Sequence, residues 1–156
     1  MAIAITLHEY LKNYTSDFEI IDHRRTNSTL HSAEAAHIPG DRMAKSVLLG
    51  DDEIYMLAVI PATHHIDFDD VTQLTGRNLF LISEEELQQA FADCETGAVP
   101  PVGDPYGIET LVDVTLLEQP DLYFETGDHG KLLHISTDTF RELEENALMG
   151  EFSYHI

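Results

Sequence analysis

Two short apolar runs constrain this chain more than any other feature. They are MAKSVLLG at residues 43–50 and IYMLAVIPA at residues 54–62, joined through Gly50-Asp51-Asp52-Glu53. Runs of this length with turn residues between them read as the two strands of a hairpin. The second run carries almost no polar residue, so it predicts a strand buried on both faces. A strand buried on both sides needs cover on both sides, and the rest of the chain must supply it.

The remaining segments alternate between helical and extended patterns. Thr6-Leu7-His8-Glu9 reads as a capping box opening a helix to about residue 14. FEIIDHR at residues 18–24 reads as a strand, and SAEAAH at residues 32–37 as a short helix stopped by Ile38-Pro39-Gly40. A helix over residues 67–74 and a strand NLFLIS at residues 78–83 follow. Ser83-Glu84-Glu85-Glu86 is a second capping box; its helix puts Leu87, Ala90 and Phe91 on one face and ends near Cys94. ETLVDVTLLE, DLYFET and LLHIS read as three further strands, the last two joined by GDHG. A final helix is expected over residues 139–147, and the tail GEFSYHI is left unassigned. Strands outnumber helices and mostly follow one another directly. The expected class is therefore α+β: a mixed, curved, barrel-like β-sheet flanked by helices, in a single domain over residues 1–156.

Charge excludes some functions. Twenty-nine acids against eight bases give a net charge of −21. Such a surface repels phosphate at long range, which argues against DNA and against extended contact with any nucleic acid. No apolar run approaches the roughly 20 residues that span a bilayer, so no membrane is expected. The N-terminal MAIAITLHEYLKNY lacks a basic region and does not read as a signal peptide. The single cysteine, Cys94, excludes an internal disulfide and fits a reducing cytoplasm. It falls at a predicted helix C-terminus, where a thiol is not activated. The nine histidines are scattered without ligand spacing, so neither metal nor cofactor is expected.

Two places carry candidate chemistry. In MAKSVLLG, period-two alternation puts Lys45 on one face with Met43, Val47 and Leu49. A lysine there either snorkels to solvent or is held as a local attractor for an anion. The second place is ETGAVPPVGDPYG at residues 95–107, apolar and stiff within a very acidic chain. Gly97 and Pro100-Pro101 fix a loop that either stops a helix tightly or aims backbone N–H groups at one point. Asp128 and His129 in GDHG can equally be plain turn chemistry.

Taken together, HIPGDRMAKSVLL, YMLAVIPATHHIDFDDV, CETGAVPPVGDPYGI and ETGDHGKLLHIS, in that order, resemble the YbaK family, also called the prolyl-tRNA-synthetase-associated editing domain. The resemblance implies a mixed, barrel-like sheet and a free-standing deacylase that hydrolyses the ester of mischarged tRNA at its 3′ terminal adenosine. The family lysine matches Lys45, and the family GxxxP motif matches residues 97–101. Lys45 and Gly97 are then the catalytic candidates. Ala98, Val99, Pro100, Pro101, Gly103, Gly127, Asp128 and His129 are the substrate-binding candidates. The implied partners are a mischarged tRNA acceptor end and an aminoacyl-tRNA synthetase. Given the charge, tRNA contact is expected at the acceptor end alone, near Lys45, with Arg42, Arg77 or Lys131 assisting. The alternatives are a non-catalytic binding module for a small ligand or an aminoacyl-tRNA 3′ end, and a synthetase-associated protein.

Overall fold

The computed structural model describes residues 3–14, 18–23, 29, 32–33 and 36–156. The expected hairpin is present: β2 (Met43–Gly50) pairs antiparallel with β3 (Tyr55–Pro61) along its length. The turn closes with Asp51 Oδ1 accepting the N–H groups of Glu53 and Ile54. Every β3 residue after Tyr55 is buried, as a strand covered on both faces must be.

Around this hairpin the described residues build a mixed eight-stranded sheet in the order β1-β8-β7-β2-β3-β6-β9, with β5 added against β2. Its other strands are β1 (Glu19–Asp22), β5 (Phe80–Leu81), β6 (Glu109–Asp113), β7 (Asp121–Glu125), β8 (Lys131–Ser136) and β9 (Leu148–Gly150). A second, two-stranded sheet joins β4 (His64–Ile66) to β10 (Ser153–His155). The α+β class and the mixed sheet are as expected. The sheet is not closed, because β1 and β9 end the strand order without pairing to each other.

Four α-helices lie among the described residues: α1 (Ile5–Leu11), α2 (Phe68–Thr75), α3 (Glu84–Ala90) and α4 (Thr137–Leu143). Asp67 caps α2 through the N–H groups of Asp69 and Asp70, and Ser83 caps α3 through Glu86 N–H at 3.3 Å. The box expected at Thr6 does not form. Ala4 holds the N-cap position of α1, and Thr6 N–H donates instead to Asp93 Oδ2 at 2.8 Å, so a distant carboxylate replaces a local cap. The final helix starts two residues earlier than expected because Ser136 caps it, and it stops at Leu143. Of the helix expected over residues 32–37, Ser32 and Ala33 are helical, Ala36 and His37 form a turn, and the residues between lie outside the described set; so does Arg24 of the expected first strand.

Alternation along the strands sorts the core into two sides. Ala44 and Leu48 of β2, Leu57 and Val59 of β3 and Phe124 of β7 share one cluster with Leu7, Phe91 and Phe140. Leu49, Met56 and Ile60 point the other way and pack with Val71 of α2 and Phe152. Each such fully buried aliphatic side chain contributes about 1.5–3 kcal/mol of transfer free energy.

Asp113 links these layers. The strand expected over residues 109–118 ends at Asp113, because its Oδ1 accepts Thr115 N–H and Thr115 Oγ1–H and turns the chain into a 3-10 helix, Val114–Glu118. Its Oδ2 accepts Phe152 N–H at 3.1 Å and Ser153 Oγ–H at 2.6 Å, which fixes the unassigned tail as β10. Ser153 Oγ in turn accepts from His64 Nδ1 at 2.8 Å, so β4 and β10 are held by one buried carboxylate. Replacing Asp113 by Ala leaves buried donors without an acceptor, and the expected loss is about 3 kcal/mol. Chemical denaturation of the Asp113→Ala variant measures it.

Candidate functional site

β2 has a different neighbour at each end of one edge. β7 runs parallel to it and pairs only at Met43 and Ala44; β5 pairs only at Leu49 and Gly50. Between them, residues 45–47 face a break in the sheet, which closes where the Leu48 carbonyl accepts Ile82 N–H at 3.1 Å, and Lys45 stands at its start. Val47, on the same side as Lys45, packs against the cluster of Leu49, Ile60 and Val71. Lys45 and Val47 line an open cavity of about 590 Å³ with Ile60, Ile66, Phe68, Leu81, His65 and Tyr154.

Lys45 has no carboxylate within salt-bridge reach among the described residues. Its Nζ donates to the His64 carbonyl at 3.4 Å, a long bond. Burial pushes its pKa below the usual lysine range. The three cations expected to assist it are engaged elsewhere. Arg42 pairs with Asp121 at 3.0 Å and Lys131 with Asp22 at 2.5 Å. Arg77 pairs with Asp51 at 2.9 Å and Glu53 at 3.6 Å. Asp51 follows the far end of β2, about 20 Å from Lys45 at strand rise. With so many acids in the chain, each of these bases has found a carboxylate.

The loop and the GDHG turn are brought together. Glu95 N–H donates to the Gly127 carbonyl at 2.8 Å, and Gly127 N–H to the Ala98 carbonyl at 2.7 Å. His129 Nε2 meets the Thr96 carbonyl at 2.5 Å, which requires the proton on Nε2. Its buried Nδ1 has no partner among the described residues. Asp128 Oδ1 accepts Gly130 N–H at 2.7 Å, which is turn chemistry. Gly127 has φ 92°, and a Cβ there would meet Ala4 Cβ at 2.8 Å, so both backbone angle and space require glycine.

The loop is apolar because it is core. Ala98, Val99, Pro100, Pro101, Val102 and Gly103 are all buried, and Val99 and Val102 pack in the cluster of Ala44, Leu48 and Phe124. Two of its five N–H groups are committed. Ala98 N–H donates to the Glu95 carbonyl and Gly103 N–H to Thr110 Oγ1, while the two prolines have none. A Cβ on Gly103 would lie 2.3 Å from the Ile108 carbonyl oxygen, so that glycine is there for close packing. The N–H groups of Gly97, Val99 and Val102 have no partner among the described residues; Gly97 is exposed at φ 83°, and the two valines are buried. None of residues 97–103 or 127–129 lines the Lys45 cavity, and Val99 and Val102 pack on the opposite face of β2.

Two polar groups beside this region were not singled out from sequence. Glu125, at the end of β7, is 1% exposed, and burial pushes its carboxyl up to about 8, with nearby Asp128 adding to the shift and a Ser32 hydrogen bond opposing it. Since Ala44 pairs with Phe124, Glu125 occupies the step of β7 alongside Lys45. Alternation gave no signal for it, since it puts Glu125 on the half-exposed face of Asp121 and Tyr123, opposite Leu122 and Phe124. Ser46 Oγ is the other, buried and without a partner among the described residues. Cys94 is buried, with its thiol pushed up to about 12 by that burial, so it is inert as expected. Among the described residues no group of three His, Cys, Asp or Glu side chains is placed to hold a metal ion.

The mixed α+β sheet that carries the half-buried Lys45 and the glycine–proline loop is a fold seen in other solved structures. "Hypothetical protein APE2540" superimposes with a TM-score of 0.84 at 21% identity, covering 96% of this chain and 99% of that one. A "putative trans-editing enzyme for prolyl tRNA synthetase" gives 0.82 at 18% identity, covering 98% and 99%. At such identities the likeness is one of fold. No curated protein matches the chain. The aminoacyl-tRNA editing domain family matches residues 23–143, and the chain belongs to that family.

The raised Glu125 carboxyl has a consequence for stability. Between the ordinary glutamate range and about 8 the unfolded chain ionises this group while the folded one keeps it protonated. Stability therefore falls as pH rises through that window. Glu125→Gln removes the penalty: its Tm should exceed the parent's by about 5 °C near pH 8 and by much less near pH 5. Calorimetry at both pH values checks this.

Proposed function

We propose that the protein is a trans-acting deacylase that hydrolyses the ester of mischarged tRNA at the 3′ terminal adenosine. Family membership supports the reaction class. The observation that carries the site is Lys45, a half-buried ammonium without a carboxylate partner among the described residues, in a chain of net charge −21. Holding such a group costs stability unless something anionic joins it. In this reading Lys45 grips the phosphate or ribose of the acceptor end and offsets charge as the carbonyl becomes tetrahedral. Gly97 is kept as a candidate for the carbonyl oxygen on the family match alone, since the loop packs on the opposite face of β2 from the Lys45 cavity. The residues after it, Ala98 to Gly103, hold the loop rigid, and the turn Gly127-Asp128-His129 braces it. Water attacks the ester carbon, the ribose oxygen leaves with a proton, and the products are free amino acid and uncharged tRNA. A hydroxyl or amino group of the substrate can take the water's proton.

Net charge limits the contact. Only a few phosphates of the single-stranded end can be neutralised, and each adds about 0.7 to the salt slope. Binding of a mischarged minihelix and of full tRNA should therefore agree closely, with a slope of about one to three.

The direct test is deacylation of tRNAs loaded with Ala, Cys or Ser. Lys45→Met should lower the rate by about 100-fold or more, with Tm unchanged or raised. The sign follows from the depressed lysine pKa, because below that pKa the folded state bears the cost of charging Lys45 and the variant does not. Absence of hydrolysis with every tRNA, alongside retained binding, would make this a binding module.

A further inference from the structure

The cavity beside Lys45 holds more than a lysine requires. His65 and Tyr154 face each other across the β4–β10 pairing, with ring centroids 6.0 Å apart. Phe68 is 39% and Leu81 65% exposed at its other sides, over a floor of Val47 and Ile60. The chain carries 29 acids, yet among the described residues no carboxylate lines this cavity. Its charge comes from Lys45. An inorganic anion has no use for the rings, an uncharged apolar ligand has none for the ammonium, and a cation would be repelled by it. The complementary occupant is a flat ring carrying an anionic group.

From this we infer a nucleotide site, in which an unpaired base lies against Tyr154 and His65 while its phosphate meets Lys45. Aromatic rings stack single-stranded bases with little regard for sequence. A cavity of about 590 Å³ is of ordinary ligand-site size. The platform is rigid where it matters. Asp113 holds Phe152 and Ser153, Ser153 holds His64, and Ile156 N–H closes the tail on the Thr63 carbonyl at 2.9 Å. Tyr154 is 53% exposed, so its ring is presented and does not support the core. That the nucleotide is the terminal adenosine of a tRNA rests on the deacylase reading; the site itself does not.

The test titrates the isotope-labelled protein with adenosine 5′-monophosphate, adenosine and 4-phenylbutyrate, following the resonances of Lys45, His65 and Tyr154. Adenosine 5′-monophosphate should shift all three. Tyr154→Ala should weaken it about tenfold, and Tyr154→Phe, which keeps the ring, should restore it. Lys45→Met should weaken the nucleotide and leave adenosine unchanged. Shifts confined to other residues, an affinity indifferent to Tyr154→Ala, or equal affinity for 4-phenylbutyrate would overturn the inference. The two readings fail separately. Nucleotide bound through Tyr154 with no tRNA hydrolysed supports this site and removes the deacylase. Mischarged tRNA hydrolysed with unchanged KM in Tyr154→Ala, and no nucleotide bound, does the reverse.

Discussion

The break along one edge of β2 is the constraint on which the rest of this molecule depends. β3 holds the strand along its whole length, but β7 and β5 reach it only at opposite ends. Residues 45–47 are thus fixed in position by one neighbour and left open toward the other side. Alternation then sends Ala44 and Leu48 into the main core, under the glycine–proline loop, and Lys45 and Val47 toward the cavity. One strand so separates the two candidate places, the loop on one face and the Lys45 cavity on the other, and the covered hairpin keeps it rigid.

That rigidity tolerates groups that cost stability. Lys45 is partly desolvated without a counter-charge among the described residues, Glu125 is held protonated by burial well above its usual range, and Ser46 Oγ and His129 Nδ1 lack partners there. Buried polar groups are ordinarily satisfied. Several exceptions around one end of β7 and one edge of β2 mark the place where packing gives way to ligand chemistry. The loop adds to them: its side chains are core while the N–H groups of Gly97, Val99 and Val102 have no partner among the described residues, so its stiffness comes from burial and proline.

The elements set by neighbours in sequence were legible. The hairpin at Asp51, the cap at Ser83 and the strands of DLYFET and LLHIS follow from local pattern. What could not be read locally was decided at long range. Thr6 yields its capping role to Asp93, and the tail becomes β10 because Asp113, some forty residues earlier, captures Phe152 and Ser153. Lys45 was legible as an anomaly in its strand. Its aromatic company was not, since Tyr154 reaches it through a pairing with His65 about ninety positions away. Arg42, Arg77 and Lys131 misled because sequence shows a base without showing the acid that claims it.

The central claim is that Lys45 is a desolvated cation kept for an anion. Its Nζ can be titrated directly by NMR with labelled lysine, in the free protein and with a non-hydrolysable aminoacyl-adenosine 5′-phosphate analogue. The account predicts a pKa below the ordinary 10.5 in the free protein and a rise when the analogue binds, since a nearby anion favours the charged form. An ordinary pKa that the analogue leaves unmoved would contradict it.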